Sequence, residues 1–220
     1  MNKFEIFKLT IPVMMGYVPL GLAFGLYGVG AGLPVWVMTA TSVLVYAGSV
    51  EFMLVAFIVG GASVFDVFIV SFLLNFRHFF YTTALLDEIK ALKRRFYFIY
   101  ALTDETFALL KSRGVKEGED ANLLFNLTAL LNHSYWIFGV SAGAILGSNL
   151  NIEYKGIEFS LVALFAVLTY EIYRANPAPR VLGLALGCAV VGLFLLPSQY
   201  YLFGVILGGI AVLLAFRRYF

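Results

Sequence analysis

The sequence predicts an all-α integral membrane protein, a polytopic bundle of about seven transmembrane helices. Of its 220 residues, 61% are hydrophobic and only 13% are charged, whereas ordinary soluble domains carry about 25% charged residues. The mean hydropathy is +0.91. Several apolar runs reach the roughly 20 residues that a helix needs to cross about 30 Å of hydrocarbon, and the alternating pattern of barrel strands is missing.

Charge and motif content exclude several functional classes. A net charge of +2 from 15 basic and 13 acidic residues is not the basic footprint of a nucleic-acid-binding protein. The single cysteine, Cys188, can form neither an internal disulfide nor a cysteine metal cluster. The serine-hydrolase elbow, the zinc-protease motif and the phosphate-binding loop do not occur. We therefore predict a protein that is not an enzyme and uses no cofactor.

The first predicted span covers residues 9–30 and contains Pro12, Pro19 and several glycines. Each proline removes a backbone donor, so we expect this helix to be broken or kinked. Further spans are predicted from apolar length and from the glycine, proline or charge that ends each run: 34–59, 63–87, 121–148, 157–173, 181–196 and 199–216.

Residues 96–112 are apolar and aromatic but carry Asp104 and Glu105 at their middle. Two carboxylates at the bilayer centre would each cost several kcal/mol unless they are neutralised or face water. We therefore predict a re-entrant or interfacial segment within a cytoplasmic connector, residues 88–120. An external N-terminus then leaves eleven basic residues inside and three outside, which satisfies the positive-inside rule except at Lys3 and Lys8.

With seven spans, the first triplet (spans one to three) starts outside the membrane and the second triplet (spans four to six) starts inside. The two triplets therefore have inverted topologies. The chain is accordingly predicted to be one permease domain, 1–220, with possible repeat halves 9–87 and 121–196. Inverted repeats of this kind are common in secondary transporters.

Small residues recur four positions apart in two spans, at Gly21 and Gly25 and again at Gly139 and Gly143. Such faces let helices pack closely in any membrane bundle. The alternative is that the Gly139 face, which extends to Gly147, admits a helix of another subunit.

Glu51 lies inside the second predicted span with no charge near it in sequence. Intramembrane carboxylates face a bundle interior or cavity and are functional candidates. The preceding Gly48 could allow a local break that exposes main-chain groups to a substrate. Glu51 is thus predicted to bind an ammonium group or a transported proton; a protonated or paired structural residue is the alternative.

The third span contains the densest polar cluster, with Asn75, Arg77 and His78 in sequence. Arg77 lies deep enough to need an anion, and a buried arginine–carboxylate pair could serve substrate binding or stability alike. The available carboxylates are Glu51, Asp66, Asp104 and Glu105. The candidate substrate-binding or coupling residues of this region are Asn75, Arg77, His78, Asp104 and Glu105. His78 could relay protons near neutral pH, or be a hydrogen-bonded core histidine.

The fourth span begins with polar residues, and Asn122, Asn126 and His133 fall roughly on one helix face. Such a face suits a water-lined path, so Asn126 and His133 are candidate substrate or coupling residues; for His133 a core role is the alternative. Trp136 is interpreted as an interface anchor. Two histidines without repeated carboxylate spacing do not predict a metal site.

Several strings resemble the azaleucine-resistance (AzlC-type) family. They are GYVPLGLAFGLYGVGAGLP at 16–34, LVYAGSVEFMLVAF at 44–57, LLNFRHFFYTTAL at 73–85, LTDETFALL at 102–110 and KGIEFSLVALFAVL at 155–168. The most specific pieces are N-x-R-H and AG-x-x-E/Q-F in this order. The family commonly has glutamine at the position of Glu51.

The resemblance implies a permease of the bacterial cytoplasmic (inner) membrane that exports leucine, isoleucine, valine and, as a further candidate, methionine. It also implies a small AzlD-type membrane subunit as partner. Because no nucleotide-binding motif occurs, a two-component secondary exporter driven by the proton-motive force is the better interpretation. The residue patterns leave a non-transporting membrane scaffold and a passive channel as alternatives, the channel being disfavoured by the lack of a filter-like string.

Overall fold

The computed structural model describes residues 2–149, 166, 169–170, 173–174, 177–196 and 201–215. Most of the predicted span 157–173 therefore lies outside the described residues. All regular structure in the described part of the chain is helical. Internal contacts divide the chain into two compact units, Met1–Leu161 and Val162–Phe220, and each is described by itself.

The helices of the first unit vary widely in length. They are α1 (Lys3–Gly30), α2 (Val35–Leu44), α3 (Gly48–Gly60), α4 (Val64–Asn75), α5 (Arg77–Ala84), α6 (Leu86–Lys90), α7 (Arg95–Tyr100), α8 (Asp104–Arg113) and α9 (Ala121–Asn149). Among the described residues, two helical stretches are both long and apolar enough to cross a membrane, Lys3–Gly30 and Val64–Ala84. The all-helical class holds, and these lengths do not establish seven spans.

In the second unit, α10 (Pro179–Leu195) is followed by α11 (Tyr201–Ala215). The Tyr201 hydroxyl donates to the Ala189 carbonyl over 3.1 Å. Tyr201 also lies over Gly192, whose missing side chain leaves room for the aromatic ring. The free Cys188 is half-buried on α10.

α1 is one continuous helix. It begins with a capping box in which Asn2 accepts from the Glu5 amide (2.9 Å) and Glu5 accepts from the Asn2 amide (2.8 Å). Pro12 and Pro19 lie inside the helix without ending it. The predicted break in the first span is therefore wrong, because packing against neighbouring helices lets a membrane helix retain its turns around a missing donor.

Glycines allow α1 and α9 to pack backbone to backbone. A Cβ atom on Gly21 would lie 2.9 Å from the Val140 amide nitrogen, and one on Gly139 would lie 2.7 Å from the Val18 carbonyl oxygen. Cβ atoms this close to backbone cannot be accommodated without separating the helices. Helix α1 of the same chain thus occupies this face of α9, so the face is not open to a helix of another subunit.

The same contacts give the relative direction of the two helices. Gly21 lies at Gly139, and four residues later Gly25 lies at Gly143. Residue numbers increase together, so α1 and α9 are parallel. The predicted inversion of the first and fourth spans requires them to be antiparallel, and the structure corrects it.

The predicted second span, 34–59, is two helices that run in opposite directions. Helix α2 runs antiparallel to α9, because Thr39 meets Ser141 (Oγ1 to Oγ, 3.3 Å) while the later Ser42 meets the earlier His133 (3.2 Å). The chain then turns at residues 45–47. We call residues 35–60 hairpin A and residues 45–47 its tip.

Helix α3 carries hairpin A back toward its starting end. At the tip, the Tyr46 ring lies 6.5 Å from Tyr17, whereas Phe52 lies 4.8 Å from Phe24 and 5.8 Å from Tyr27, measured between ring centroids. Residue numbers on α3 and α1 therefore increase together. Hairpin A enters and leaves at the end of the unit where α1 ends.

Residues 95–113 form a second helical hairpin, hairpin B, with its tip at 101–103. The Lys93 amide donates to Asn122 at the start of α9 (2.7 Å), and Thr106 accepts from Asn132 one-third of the way along it (2.9 Å). Arg113 then returns to Glu119, just before α9 (2.6 Å). At 1.5 Å per residue, the helices of this hairpin are about 9 and 15 Å long, too short to cross 30 Å. The chain thus reverses direction within the segment predicted to be re-entrant.

Helices α4 and α5 connect the two hairpins. Phe76 between them keeps helical backbone angles, so Val64–Ala84 is nearly one helix. Along α5 and α8, Tyr81 stacks on Phe107 at 4.5 Å and Lys111 donates to the Ala84 carbonyl over 3.3 Å. The two helices are therefore parallel, and α5 ends where hairpin B begins.

A long helix followed by a helical hairpin thus occurs twice, as α1 with hairpin A (3–60) and as α4–α5 with hairpin B (64–113). The two long helices run in opposite directions. The hairpins enter from opposite ends and meet at their tips, where the Tyr100 hydroxyl donates to the Val43 carbonyl. This inverted arrangement has other boundaries than the predicted halves 9–87 and 121–196. Broken helices whose irregular backbone is enclosed by protein are a known feature of transporters.

Candidate functional site

The tip of hairpin A is an interrupted helix whose two broken ends are capped by side chains. Tyr46 has a φ of +45°, a left-handed conformation uncommon for a bulky residue and found at functional turns. On the α3 side, the fully buried Glu51 accepts from the Ala47 amide (3.1 Å) and from Trp136 Nε1 (2.9 Å). Both donors reach the same oxygen, Oε2, and Oε1 is buried without a partner. Glu51 is thus a cap on the positive end of α3, and Trp136 is a buried donor rather than an interface anchor.

On the α2 side, the last carbonyl groups have no helical donor. His133 Nε2 lies 3.2 Å from the Ser42 carbonyl oxygen, which can only accept, so Nε2 carries the hydrogen. Nδ1 then accepts from the Tyr97 hydroxyl over 3.2 Å. The Tyr46 and Tyr100 rings lie 4.2 and 5.8 Å from the imidazole. His133 therefore connects hairpin A to hairpin B.

Charged groups gather at the tip of hairpin B. Arg77 Nη1 forms an ion pair of 2.5 Å with Asp104 Oδ2, and the two side chains are 31% and 24% exposed. Arg77 Nε and Asp104 Oδ1 are buried without partners. Of the four carboxylates considered from the sequence, Asp104 is the one that pairs with Arg77.

Glu105 follows Asp104 and is exposed in the first turn of α8. The Tyr17 hydroxyl lies 2.6 Å from Glu105 Oε2 and 2.7 Å from Thr103 Oγ1. The Tyr17 hydroxyl is the donor in both contacts, and Thr103 Oγ1 also accepts from the Thr106 amide over 3.3 Å. Thr106 Oγ1 lies 3.0 Å from Thr103 Oγ1 and accepts from Asn132 Nδ2 over 2.9 Å. Helices α9, α8 and α1 are thereby joined by one chain of hydrogen bonds.

Other predicted site residues lie away from the tips. Asn75 ends α4, and its carbonyl accepts from His78 Nδ1 over 3.0 Å. Asn126 donates to the Asn122 carbonyl within α9 over 3.1 Å, and its Oδ1 is buried without a partner. Their carbonyl and amide contacts are local to their own helices. Pro19 lines a shallow apolar groove between α1 and α9.

The predicted glycine break lies at the tip of hairpin A. Gly48 is the first residue of α3, and a Cβ atom there would lie 3.7 Å from the Trp136 ring. The aromatic and hydroxyl residues of the tips are those that sequence reasoning missed: Tyr17, Tyr46, Tyr97, Tyr100, Thr103 and Thr106. With 13 tyrosines in the chain, composition carries no signal that selects them. Among the described residues, no group of three or more histidine, cysteine or acidic side chains could hold a metal ion.

Comparison with known proteins identifies the family. The model of the family described as AzlC protein matches residues 12–150. A Helicobacter pylori protein named "Uncharacterized membrane protein" is 37% identical over 216 residues, 97% of this chain and 94% of that protein. No solved structure matches.

Two further relatives carry more specific names. The "Branched-chain amino acid transport protein AzlC" of Bacillus subtilis is 28% identical over 213 residues, 96% of this chain and 84% of that protein. The "Inner membrane protein YgaZ" of Escherichia coli is 28% identical over 217 residues, 94% of this chain and 88% of that protein. The inner-membrane localisation predicted from composition and resemblance is confirmed. The chain belongs to the AzlC family.

Proposed function

We propose that this chain is the large, substrate-translocating subunit of a secondary exporter of branched-chain amino acids. The observation that carries the proposal is the meeting of two oppositely directed hairpin tips beside the partly exposed Arg77–Asp104 pair. Broken helices at mid-depth are how transporters present main-chain and charged groups to a substrate. The name of the Bacillus subtilis relative supplies the substrate class.

The basic residues give the orientation of the first unit. At the end where hairpin B enters lie Lys3, Lys8, Lys90, Lys93, Arg94, Arg95, Lys111, Arg113 and Lys116, whereas the turns 31–34 and 61–63 at the other end contain no lysine or arginine. Arg113 also lies within electrostatic reach of Glu5 on the first turn of α1. The positive-inside rule therefore places this end, and the N-terminus, in the cytoplasm.

This orientation keeps the predicted cytoplasmic connector and changes the predicted N-terminus from external to internal. In it, α1, α4–α5 and α9 cross the membrane, hairpin A enters from the outer side and hairpin B from the cytoplasm. The unfavourable placement of Lys3 and Lys8 outside disappears. Lys3 and Lys8 then lie on the cytoplasmic side, as the positive-inside rule favours.

The charges at the tips suit an amino-acid zwitterion. Arginine binds carboxylates through paired N–H donors, so we assign the substrate carboxylate to Arg77. The substrate ammonium group then lies against Glu105, whose carboxylate forms no ion pair among the described residues. Asp104 holds Arg77 in place when no substrate is bound. No ATP-driven step is needed, because the sequence has no nucleotide-binding motif.

The partner is proposed to be the small AzlD-type membrane subunit implied by the family resemblance. The Gly139 face is already filled by α1, so the small subunit must bind elsewhere in the lipid-facing surface. A purified chain without this subunit is expected to bind substrate weakly or not to transport it.

Efflux measurements test the proposal. Proteoliposomes with this chain and the small subunit should exchange labelled leucine or valine, and Arg77→Ala should reduce exchange by about 10- to 100-fold, the loss expected for one charge-assisted hydrogen bond of about 1.5–3 kcal/mol. Arg94→Ala, at an exposed position outside the tips, is the matched control. Absence of exchange by the wild-type pair, or full exchange by Arg77→Ala at equal abundance, would refute it and favour the scaffold alternative.

A further inference from the structure

We propose that Glu105 is the proton-binding group of the transport cycle, and that Tyr17, Thr103, Thr106 and Asn132 position it. The inference rests on the proposed function and extends it, because it assigns the coupling proton to one carboxylate. In this mechanism the proton and the substrate ammonium group occupy Glu105 in turn. Their competition couples inward proton movement to outward amino-acid movement.

The hydrogen-bond chain ends on Glu105. Asn132 Nδ2 donates to Thr106 over 2.9 Å, the Thr106 and Thr103 hydroxyl oxygens lie 3.0 Å apart, and Tyr17 donates to Thr103 over 2.7 Å and to Glu105 over 2.6 Å. Thr103 Oγ1 also accepts from the Thr106 amide over 3.3 Å. The Glu105 carboxylate is therefore stabilised by a donor that belongs to a connected set of hydrogen bonds.

One buried polar atom beside the chain lacks a partner. Asn132 is completely buried, yet its Oδ1 receives no hydrogen bond. Buried polar groups are nearly always satisfied. This free acceptor at the end of the chain can take a hydrogen bond in a second arrangement of the network.

Protonation of Glu105 supplies that arrangement. When hydronium gives its proton to the exposed Glu105 and leaves as water, the new O–H donates to Tyr17. The Tyr17 hydroxyl then donates to Thr103 alone, Thr103 donates to Thr106, and the Asn132 amide rotates so that Oδ1 accepts from Thr106. No hydrogen bond of the chain is lost, and the proton stays on Glu105. A change in the charge of Glu105 on α8 therefore changes the hydrogen bonding of Asn132 on α9.

Among the described residues, Glu105 forms no ion pair. Asp104 precedes it on α8, and the guanidinium of Arg77 is paired with Asp104. From the other elements, Tyr17 on α1, Tyr46 at the tip of hairpin A and Tyr81 on α5 face it. All three are neutral near physiological pH. Glu105 can therefore accept either a proton or an ammonium group.

Leucine binding to the purified complex of this chain and its small subunit, measured as a function of pH, tests the competition. In the wild type, the apparent Kd should rise on acidification and approach about tenfold per pH unit, as one-proton competition requires. Glu105→Gln should bind more weakly and lose the pH dependence, and Tyr17→Phe should move the profile to higher pH because the carboxylate loses a donor. Glu117→Gln, exposed in the connector, should match the wild type. A wild-type affinity independent of pH, or pH dependence retained in Glu105→Gln, would overturn the proposal.

Infrared titration separates this inference from the proposed function. A carboxylic-acid band should appear on acidification, be absent in Glu105→Gln and move with Tyr17→Phe, or with the isosteric Thr106→Val if Tyr17→Phe does not fold. This result would support the proton site even in a protein that bound no leucine. If no band depended on Glu105, the proton site would be rejected, whatever the substrate.

Discussion

The indole of Trp136 and the carboxylate of Glu51, 85 residues apart in the chain, share a buried hydrogen bond of 2.9 Å. The Ala47 amide donates to the same carboxylate oxygen. One oxygen thus accepts two donors, and a glutamine amide oxygen could accept both. This explains in physical terms how the position can hold the glutamine that is common in the resembling family.

We therefore expect Glu51→Gln to retain wild-type folded yield and leucine exchange. Glu51→Ala should lower the free energy of unfolding by about 1–3 kcal/mol, because two buried N–H groups lose their acceptor. Thermal unfolding in detergent, followed by size-exclusion chromatography, measures both variants. A Glu51→Gln protein that folds but exchanges leucine with an altered pH profile would instead give Glu51 the proton role considered from sequence.

Close packing of α1 against α9 predicts a contrast between two glycines of one helix. A Cβ atom on Gly25 would overlap the backbone of α9, lying 2.8 Å from the Gly143 carbonyl carbon, whereas one on Gly16 would meet nothing within 4 Å. Gly25→Ala should destabilise the protein by about 1–3 kcal/mol, as overpacking does, and Gly16→Ala should leave stability unchanged or raise it. Equal melting temperatures for the two variants would contradict the packing.

The proposed topology predicts which positions face each side of the membrane. In a chain with Cys188→Ser, single cysteines introduced by Lys3→Cys, Lys93→Cys and Lys116→Cys should be shielded from an impermeant maleimide added to intact cells. Ala31→Cys and Ala62→Cys, in the turns at the other end, should be labelled. Labelling of Lys3→Cys from outside would restore the external N-terminus predicted from sequence.

The connector after hairpin B is closed by a two-point contact. Arg113 donates to both oxygens of Glu119 over 2.8 and 2.6 Å, and these bonds lower the Glu119 pKa to about 2. Because this pKa is below the ordinary carboxyl value, the contact between Arg113 and Glu119 stabilises the folded connector fully above about pH 4.5. This stabilisation is lost as the pH falls toward 2. Glu119→Gln should speed hydrogen exchange of residues 114–118 at neutral pH, while Glu117→Gln should not. Unchanged exchange in Glu119→Gln would show that the contact does not order the connector.

The sequence predicted the helical class, the membrane and the family, because apolar length, low charge and family strings are local signals. It also predicted a re-entrant or interfacial segment around Asp104 and Glu105, since paired carboxylates are too costly in a span, and the structure has a helical hairpin there. Hairpin A could not be found in this way. Its 26 residues, 35–60, have the length and apolarity of one span, and its reversal depends on caps from distant residues such as Trp136 and His133.

The partner of Arg77 also required the structure. Four carboxylates were chemically equivalent candidates, and sequence separation favoured none of them. The tertiary fold brings Asp104 to Arg77 and leaves Glu51 as a cap on its own helix. The predicted break in α1 failed for the same reason: contacts with α9, rather than the local propensity of Pro12 and Pro19, decide the path of that helix.

The meeting of two hairpin tips has an electrical consequence. In the proposed topology, water reaching both tips would carry the bulk potential inward from both sides, and the membrane voltage would then fall mainly across the thin layer at Tyr46 and Thr103. One elementary charge that crosses the full voltage gains about 2.3 kcal/mol per 100 mV. A proton released from Glu105 across this layer would take up most of that energy within a few ångströms, and a small tilt of either tip would decide to which side it is delivered.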